Sequence, residues 1–318
     1  MTKNLLNIFF SICFSLIISI GIIEIVVRNI IDDGMNYDLE MMKYAKNLKI
    51  ISNDKKIGIE HKKNKKIKLM GAEIVLNSNG LRNIEEIDLN KKKIMMLGDS
   101  MTFGWGAQTT FSDVLGGKLK KNYQVLNSGI GNTNTIMQIN NFFKNYSRFD
   151  YDYIILNFFI NDFEHVEIKK INFIQQHLYS YTYIKSKLIN LLIKTGFSPD
   201  WKKFYLETFI DKEFINASFK EIQKLKIFCE KNDINFFIHI IPELYDLKNY
   251  AFVKQTEKLK SFAIKNNINF LDSIKSLKRY NEEDLWVSNS DTHANNKAHE
   301  IIGNFLFEEI FTKKKVSN

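Results

Sequence analysis

Read for its hydrophobic and polar positions, the chain opens on an apolar run from Leu5 to Val27, 23 residues of mostly Ile, Leu, Phe and Val whose one charge is Glu24 near the end. At about 1.5 Å per residue a helix of that length crosses the hydrocarbon layer of a bilayer, so residues 1–31 are expected to form an N-terminal transmembrane helix that anchors the chain. A cleaved signal peptide is the rival reading; it would have a shorter apolar stretch and a small-x-small cleavage site after it. Cys13 follows Phe10-Ser-Ile rather than the small residue of a lipoprotein signal, and reads as a small apolar residue of the helix.

After the run, residues 32–90 form a lysine-rich juxtamembrane and lead-in region. It ends in Glu73-Ile-Val-Leu-Asn-Ser-Asn-Gly80-Leu-Arg-Asn83, where alternation and an Asn-Gly pair predict a short strand and a turn. From there the pattern changes. Apolar runs of strand length recur at Ile94–Leu97, Tyr123–Leu126, Tyr153–Asn157, Phe236–Ile241 and Ile268–Leu271. Helical patterns lie between and after them, at Phe111–Leu119, Ile136–Tyr146, Phe214–Lys231, Ala251–Lys265 and Asn295–Phe311. Strands alternating with helices predict an α/β domain over residues 91–318, a mostly parallel five-stranded sheet covered on both faces. Its reactive groups are expected at the carboxyl ends of the strands. The segment 163–211 breaks the alternation and reads as an insertion: a lid, a membrane-facing helix pair, or helical padding.

Composition and charge change this picture little. A chain of 318 residues with 45% hydrophobic and 25% charged residues lies far from disordered or fibrous compositions. Its two cysteines form no disulfide framework and no thiolate metal site, and are silent about redox compartment. The net charge of +9 is concentrated between Lys43 and Lys68, where ten lysines stand against Asp54 and Glu60. No basic face runs through the main body, so no nucleic-acid partner is expected. The joint enrichment in Lys, Asn and Ile is one that AT-rich codon usage produces unaided; contact with anionic lipid headgroups is the alternative. Lys3 precedes the apolar run while Arg28, Lys43, Lys46 and Lys49 follow it, and large folded domains cross regardless of that bias, so charge alone leaves the topology open.

Candidate chemistry gathers where strands end. Lys93-Ile-Met-Met-Leu-Gly98-Asp99-Ser100-Met-Thr102-Phe-Gly104 runs an apolar strand into a Gly-Asp-Ser turn and a helix start. That presents the Ser100 hydroxyl as a nucleophile beside backbone N–H groups that can face an oxyanion. The bland reading of the tripeptide is a polar turn that caps the next helix. Near the other end, Asp291-Thr-His293 precedes the last helix. An Asp can accept the Nδ1–H of such a His, leaving Nε2 free to take a proton from a serine. His165, in Asp162-Phe-Glu-His165, is the rival base; His61, His177, His239 and His299 read as structural or solvated. The second and third strands end in Asn127-Ser-Gly129-Ile-Gly131-Asn132 and Asn157-Phe-Phe159-Ile160-Asn161-Asp162, amide-rich loops able to donate N–H groups to a negative oxygen. No His, Cys and carboxylate cluster has metal-ligand spacing, so neither a metal nor another cofactor is expected.

The four segments in this order, each after a strand, resemble the SGNH (GDSL) hydrolase superfamily over roughly Leu76 to Phe311. The resemblance implies a three-layer α/β/α sandwich of flavodoxin-like type. It implies Ser100 as nucleophile, His293 as base and Asp291 as its orienter, with the Ser100 N–H, Asn132 and the Asn161 side-chain amide lining an oxyanion hole. Asn77-Ser-Asn-Gly80-Leu-Arg82 is similar to the leader of membrane-anchored bacterial members, several of which act on cell-surface polysaccharides and face outward. Three departures stand out. Asn132 replaces a usual Gly and needs an unusual backbone angle or a shifted loop. Phe159 replaces a Gly two residues before Asn161 and is expected to narrow the cleft. The acid stands two residues before His293 rather than three, with Ser290 in the usual place, which requires the loop to bend. The expectation is a serine esterase acting through an acyl-enzyme on an ester, such as an acylated cell-surface carbohydrate, with its catalytic domain outside the cytoplasm. The alternatives are an O-acyltransferase using the same residues and an inactive binding module.

Overall fold

The computed structural model describes residues 2–198 and 201–313. In chain order the elements begin with α1 (Thr2–Val26), which runs on through a π turn at Val27–Ile31, and α2 (Tyr37–Leu48). Two antiparallel pairs follow, β1 (Lys49–Ile51) with β2 (Ile59–His61) and β3 (Lys65–Leu69) with β4 (Ala72–Leu76). Then come β5 (Lys92–Leu97), the one-turn α3 (Ser100–Phe103), α4 (Phe111–Leu119), β6 (Tyr123–Asn127), α5 (Thr135–Asn145) and β7 (Tyr153–Phe158). An excursion carries α6 (Phe173–His177), α7 (Tyr179–Lys194) and α8 (Trp201–Thr208). The chain closes with α9 (Lys212–Lys231), β8 (Asn235–Ile240), α10 (Val253–Lys265), β9 (Asn269–Asp272), α11 (Ile274–Leu277), β10 (Trp286–Ser288), β11 (Asp291–Ala294) and α12 (Asn296–Phe307).

Five strands form one parallel sheet in the order β6-β5-β7-β8-β9. The strand order reverses between β5 and β7, which in an open α/β sheet opens a crevice at the carboxyl ends of those two strands. The five runs read from the sequence are these strands, with ends moved by two residues or fewer. Their apolar character is continuous because both faces are covered, and the two-residue period divides each strand between two cores. Met95 and Leu97 of β5 pack with Phe142 of α5, Leu225 of α9 and Leu259 of α10. Ile94 and Met96 of the same strand pack with Phe111 and Leu115 of α4 and with Ile302 and Leu306 of α12. The result is the three-layer α/β/α sandwich expected from the alternation.

The division of the chain differs from the one drawn on sequence. Residues up to 47 and 170–198 form one compact unit, and 48–169 with 201–313 form the other. The lead-in region is therefore split, and its larger part belongs to the sheet: the N–H of Arg82 donates to the Asn127 carbonyl at 2.9 Å, and Leu81 is buried in the core beside β6. The insertion is split as well. Phe163, Tyr205 and Phe209 pack into the sheet's two cores, which leaves 170–198 outside that unit. Within the first unit, the helix over Asn4–Ile31 is 28 residues long and its most apolar 18-residue stretch has a mean hydropathy of 2.5, long and apolar enough to cross a membrane.

Close approach of backbones fixes one glycine of the sheet unit. A Cβ on Gly129, just past β6, would stand 2.2 Å from the backbone N of Phe103 and 2.7 Å from the carbonyl carbon of Thr102. Backbone cannot swing aside as a side chain can. Gly129→Ala is expected to destabilise the sheet unit by about 1–3 kcal/mol, as overpacking does, read as a lower urea midpoint; an unchanged midpoint would contradict this packing.

Candidate active site

The β5 strand delivers Gly98-Asp99-Ser100 to the crevice. Asp99 caps α3, its Oδ1 accepting the Met101 N–H at 2.9 Å, so Ser100 begins the helix and its own N–H belongs to the first turn, which has no intrahelical acceptor. Gly98 has no alternative here: a Cβ would lie 2.0 Å from Thr102 Oγ1. The Ser100 Oγ sits 2.9 Å from His293 Nε2. The His293 Nδ1 sits 2.6 Å from Asp291 Oδ1, and the same oxygen accepts the His293 backbone N–H at 3.1 Å. A serine and an Asp-x-His segment nearly two hundred residues apart thus make one line of contacts.

Asp291 and His293, two residues apart, lie in the short strand β11, paired antiparallel with β10. The register shifts along this pair, three steps from Asp291 to Ala294 facing two from Trp286 to Ser288, and this irregularity, with Asp291 Oδ1 accepting the His293 backbone N–H, sets the ring beside the carboxyl. Ser290, at the usual place of the acid, is exposed and pairs with Ser288 at 3.2 Å.

Electrostatics separate the charged states. Burial raises the Asp291 carboxyl, but the His293 charge, its two hydrogen bonds and the bond from Trp105 outweigh this and hold it below the usual carboxylate range. Burial lowers the imidazole of His293, and the charge and hydrogen bond of Asp291, with the further charges of Asp99 and Glu243, overcome it and raise the group above the ordinary value. Burial pushes the Asp99 carboxyl up.

The two amide-rich loops take different places. Asn132 adopts φ 60°, the left-handed region that the Gly-to-Asn replacement requires, and its side chain is exposed. Asn127 is a brace: its Nδ2 donates to the Thr102 carbonyl at 2.8 Å and its Oδ1 accepts the Gly129 N–H at 3.0 Å, tying the second loop to the serine's helix. Asn161 lies in a 3-10 turn (Ile160–Phe163) after β7, with its side-chain amide bonded to the Asp99 carboxyl and its Oδ1 buried without a hydrogen-bond partner. Asp162 holds that turn, accepting the Phe159 N–H at 2.8 Å and the Gln138 amide at 2.5 Å. Phe159 is buried in a core of the sheet, its ring 6.4 Å from that of Tyr205.

The other histidines stand elsewhere. His165 pairs with Asp211 at 2.8 Å on an exposed surface. His61, His239 and His299 are buried, and burial pushes each down to about 3, so all three are neutral imidazoles. His239 donates from Nδ1 to Asn157 Oδ1 at 2.9 Å, and His299 Nδ1 accepts the Phe111 N–H at 3.1 Å.

Three contributors escaped the sequence reading. Trp105, buried just past the end of α3, donates from Nε1 to the second oxygen of Asp291 at 2.9 Å. Its one sequence signal was an indole five residues after the serine. Glu243 follows Pro242 at the end of β8; its carboxyl accepts the Tyr245 N–H at 2.9 Å and the Thr292 hydroxyl at 3.5 Å, and burial pushes it up to about 7. Arg82 donates from its guanidinium to the carbonyls of Phe103, Gly104 and Ala107, gripping the end of α3. The sequence reading had this arginine only as part of a leader.

No protein-family profile matches the chain, and no curated protein matches its sequence. Among solved structures the chain is similar to a member of the lipolytic protein G-D-S-L family from Veillonella parvula, at 14% identity and a TM-score of 0.44, covering 70% of this chain and 99% of that one. It is similar to Axe2, an acetylxylan esterase from Geobacillus stearothermophilus, at 14% identity and a TM-score of 0.44, covering 71% of this chain and 97% of that one.

Proposed function

We infer that this chain is a serine ester hydrolase of SGNH type, held to a membrane by α1 with its sheet unit outside the cytoplasm. The observation that carries the reading is the unbroken line from Ser100 Oγ through both nitrogens of His293 to a buried Asp291. In this mechanism His293 Nε2 takes the hydroxyl proton as Ser100 attacks an ester carbonyl, and Asp291 stabilises the imidazolium through Nδ1. The negative oxygen that develops is met by the Ser100 N–H, the Asn132 N–H and the second amide hydrogen of Asn161. An Asn amide carries two hydrogens, so the bond to Asp99 orients the group while leaving one to donate. His293 returns its proton to the departing alcohol. Water, activated by the same imidazole, then releases the acid and restores the serine. The substrate class implied by the resemblance is an acylated carbohydrate of the cell surface, and a panel of acetylated sugars and short acyl esters tests it by turnover.

Two substitutions probe the parts separately. A fluorophosphonate probe is expected to label the wild type and not Ser100→Ala, whose fold is kept because a hydroxyl alone is removed; equal labelling of both would assign the nucleophile elsewhere. Asn161→Ala is expected to lower kcat by about 10²–10³, the loss for a single oxyanion donor, with labelling retained but slower. Undiminished turnover would remove Asn161 from the oxyanion hole.

The pH profile follows from the base. Only neutral His293 can accept the serine proton, and the neighbouring carboxylates favour its charged form, so kcat/KM should rise with pH through an inflection above the ordinary imidazole value. Asp291→Asn removes the anion that holds the proton, so the inflection should move to lower pH, while kcat falls by about 10⁴ because the amide presents the wrong tautomer to the ring. An inflection unmoved by this substitution would mean that a different group titrates.

A further inference from the structure

The apolar run and residues 170–198 of the excursion after β7 fold together in the first unit. Glu24, the one charge in the run, accepts the N–H of Tyr179 at 2.9 Å, the N–H of Ser180 at 2.9 Å and the Ser180 hydroxyl at 2.6 Å. It satisfies N–H groups that the first turn of α7 leaves open and sets a negative charge at the positive end of that helix. Arg28, one turn further, pairs with Glu24 at 2.6 Å, donates to the His177 carbonyl at 2.6 Å and lies 4.0 Å over the Tyr179 ring. Lys46 of α2 donates to the Gln176 carbonyl at 2.8 Å. Cations hold the carbonyls that end α6, and an anion holds the amides that open α7.

Past this joint α7 is apolar and uncovered. Ile184, Leu188, Leu191 and Leu192 are 52, 56, 56 and 40% exposed. Their spacing of i, i+4, i+7 and i+8 sets them on one stripe of the helix. At about 100° per residue, Lys185 borders the stripe on one side and Lys187 and Lys194 on the other. With 16 residues and three lysines α7 is too short and too charged to span a bilayer. Apolar stripe with flanking lysines is instead the layout of a helix lying at the lipid boundary, where lysines reach up to headgroup phosphates.

We propose that α7 is a second membrane element, lying in the headgroup and acyl boundary beside α1 with Ile184, Leu188, Leu191 and Leu192 in lipid. The occupant of the stripe is the bilayer because α7 is held at Glu24, inside the helix that is long and apolar enough to cross it. This rests on the reading of α1 as a retained span. The test uses the full chain carrying Cys13→Ser and Cys229→Ala in nanodiscs of phosphatidylcholine and phosphatidylglycerol. Nitroxide labels are set at Leu191→Cys, at Ile17→Cys in α1 and at Lys220→Cys on the exposed surface of α9. Collisions with oxygen should exceed those with a water-soluble nickel chelate severalfold at 17 and at 191, and the order should reverse at 220. A label at 191 that behaves like the one at 220 while 17 stays in lipid overturns the proposal and leaves the anchor standing. Water access at 17 overturns both. A label at 191 shielded from both reagents means that protein covers the stripe, and also overturns the proposal.

Discussion

The buried carboxylate of Asp291 is the constraint around which the site is organised. A charge only 4% exposed is costly unless hydrogen-bonded, and this one takes three N–H donors: the backbone and ring of His293 on one oxygen and the indole of Trp105 on the other. Satisfying it ties the β10–β11 hairpin to the segment that follows α3. That tie brings the imidazole, carried nearly two hundred residues later in the chain, to the serine at the end of β5. The same bonds fix the ring's orientation, so the nitrogen facing Ser100 is the one without a proton while the imidazole is neutral.

The environments of the histidines show how far one partner decides chemistry. His61, His239 and His299 are enclosed with a carbonyl, an amide or an N–H beside them, and desolvation leaves each without charge. His293 is enclosed too, yet a carboxylate in contact and two more carboxyls nearby reverse the outcome. Burial alone therefore does not decide the charge of an imidazole; the presence or absence of a paired anion does.

Local patterns carried much of this into the sequence. The sheet was legible because strands covered on both faces must be continuously apolar, and the glycine-aspartate-serine turn because an apolar run gives way there to a glycine and a helix-capping aspartate. The unusual angle at Asn132 was legible from the side chain standing where glycine is usual. What stayed hidden rests on contacts between distant segments. Trp105 reads as one more aromatic until its indole is seen against Asp291. The strand conformation of 291–294 was masked by polar residues and shortness, and the register shift within it arises only in pairing with β10. The division of 163–211 between two units depends on where single side chains such as Phe163, Phe209 and Ser180 find partners, which no periodicity encodes.

Arg82 carries a consequence for how the sheet unit can be handled. Its guanidinium bonds three carbonyls along the end of the serine's helix, and its N–H joins the edge strand β6, although it precedes the first strand of the sheet by ten residues. Excising the unit at the start of β5 would keep every strand of the sheet and discard this clamp. A fragment that keeps the clamp therefore has to begin upstream of Asn77, whose side chain orders the turn that delivers Arg82.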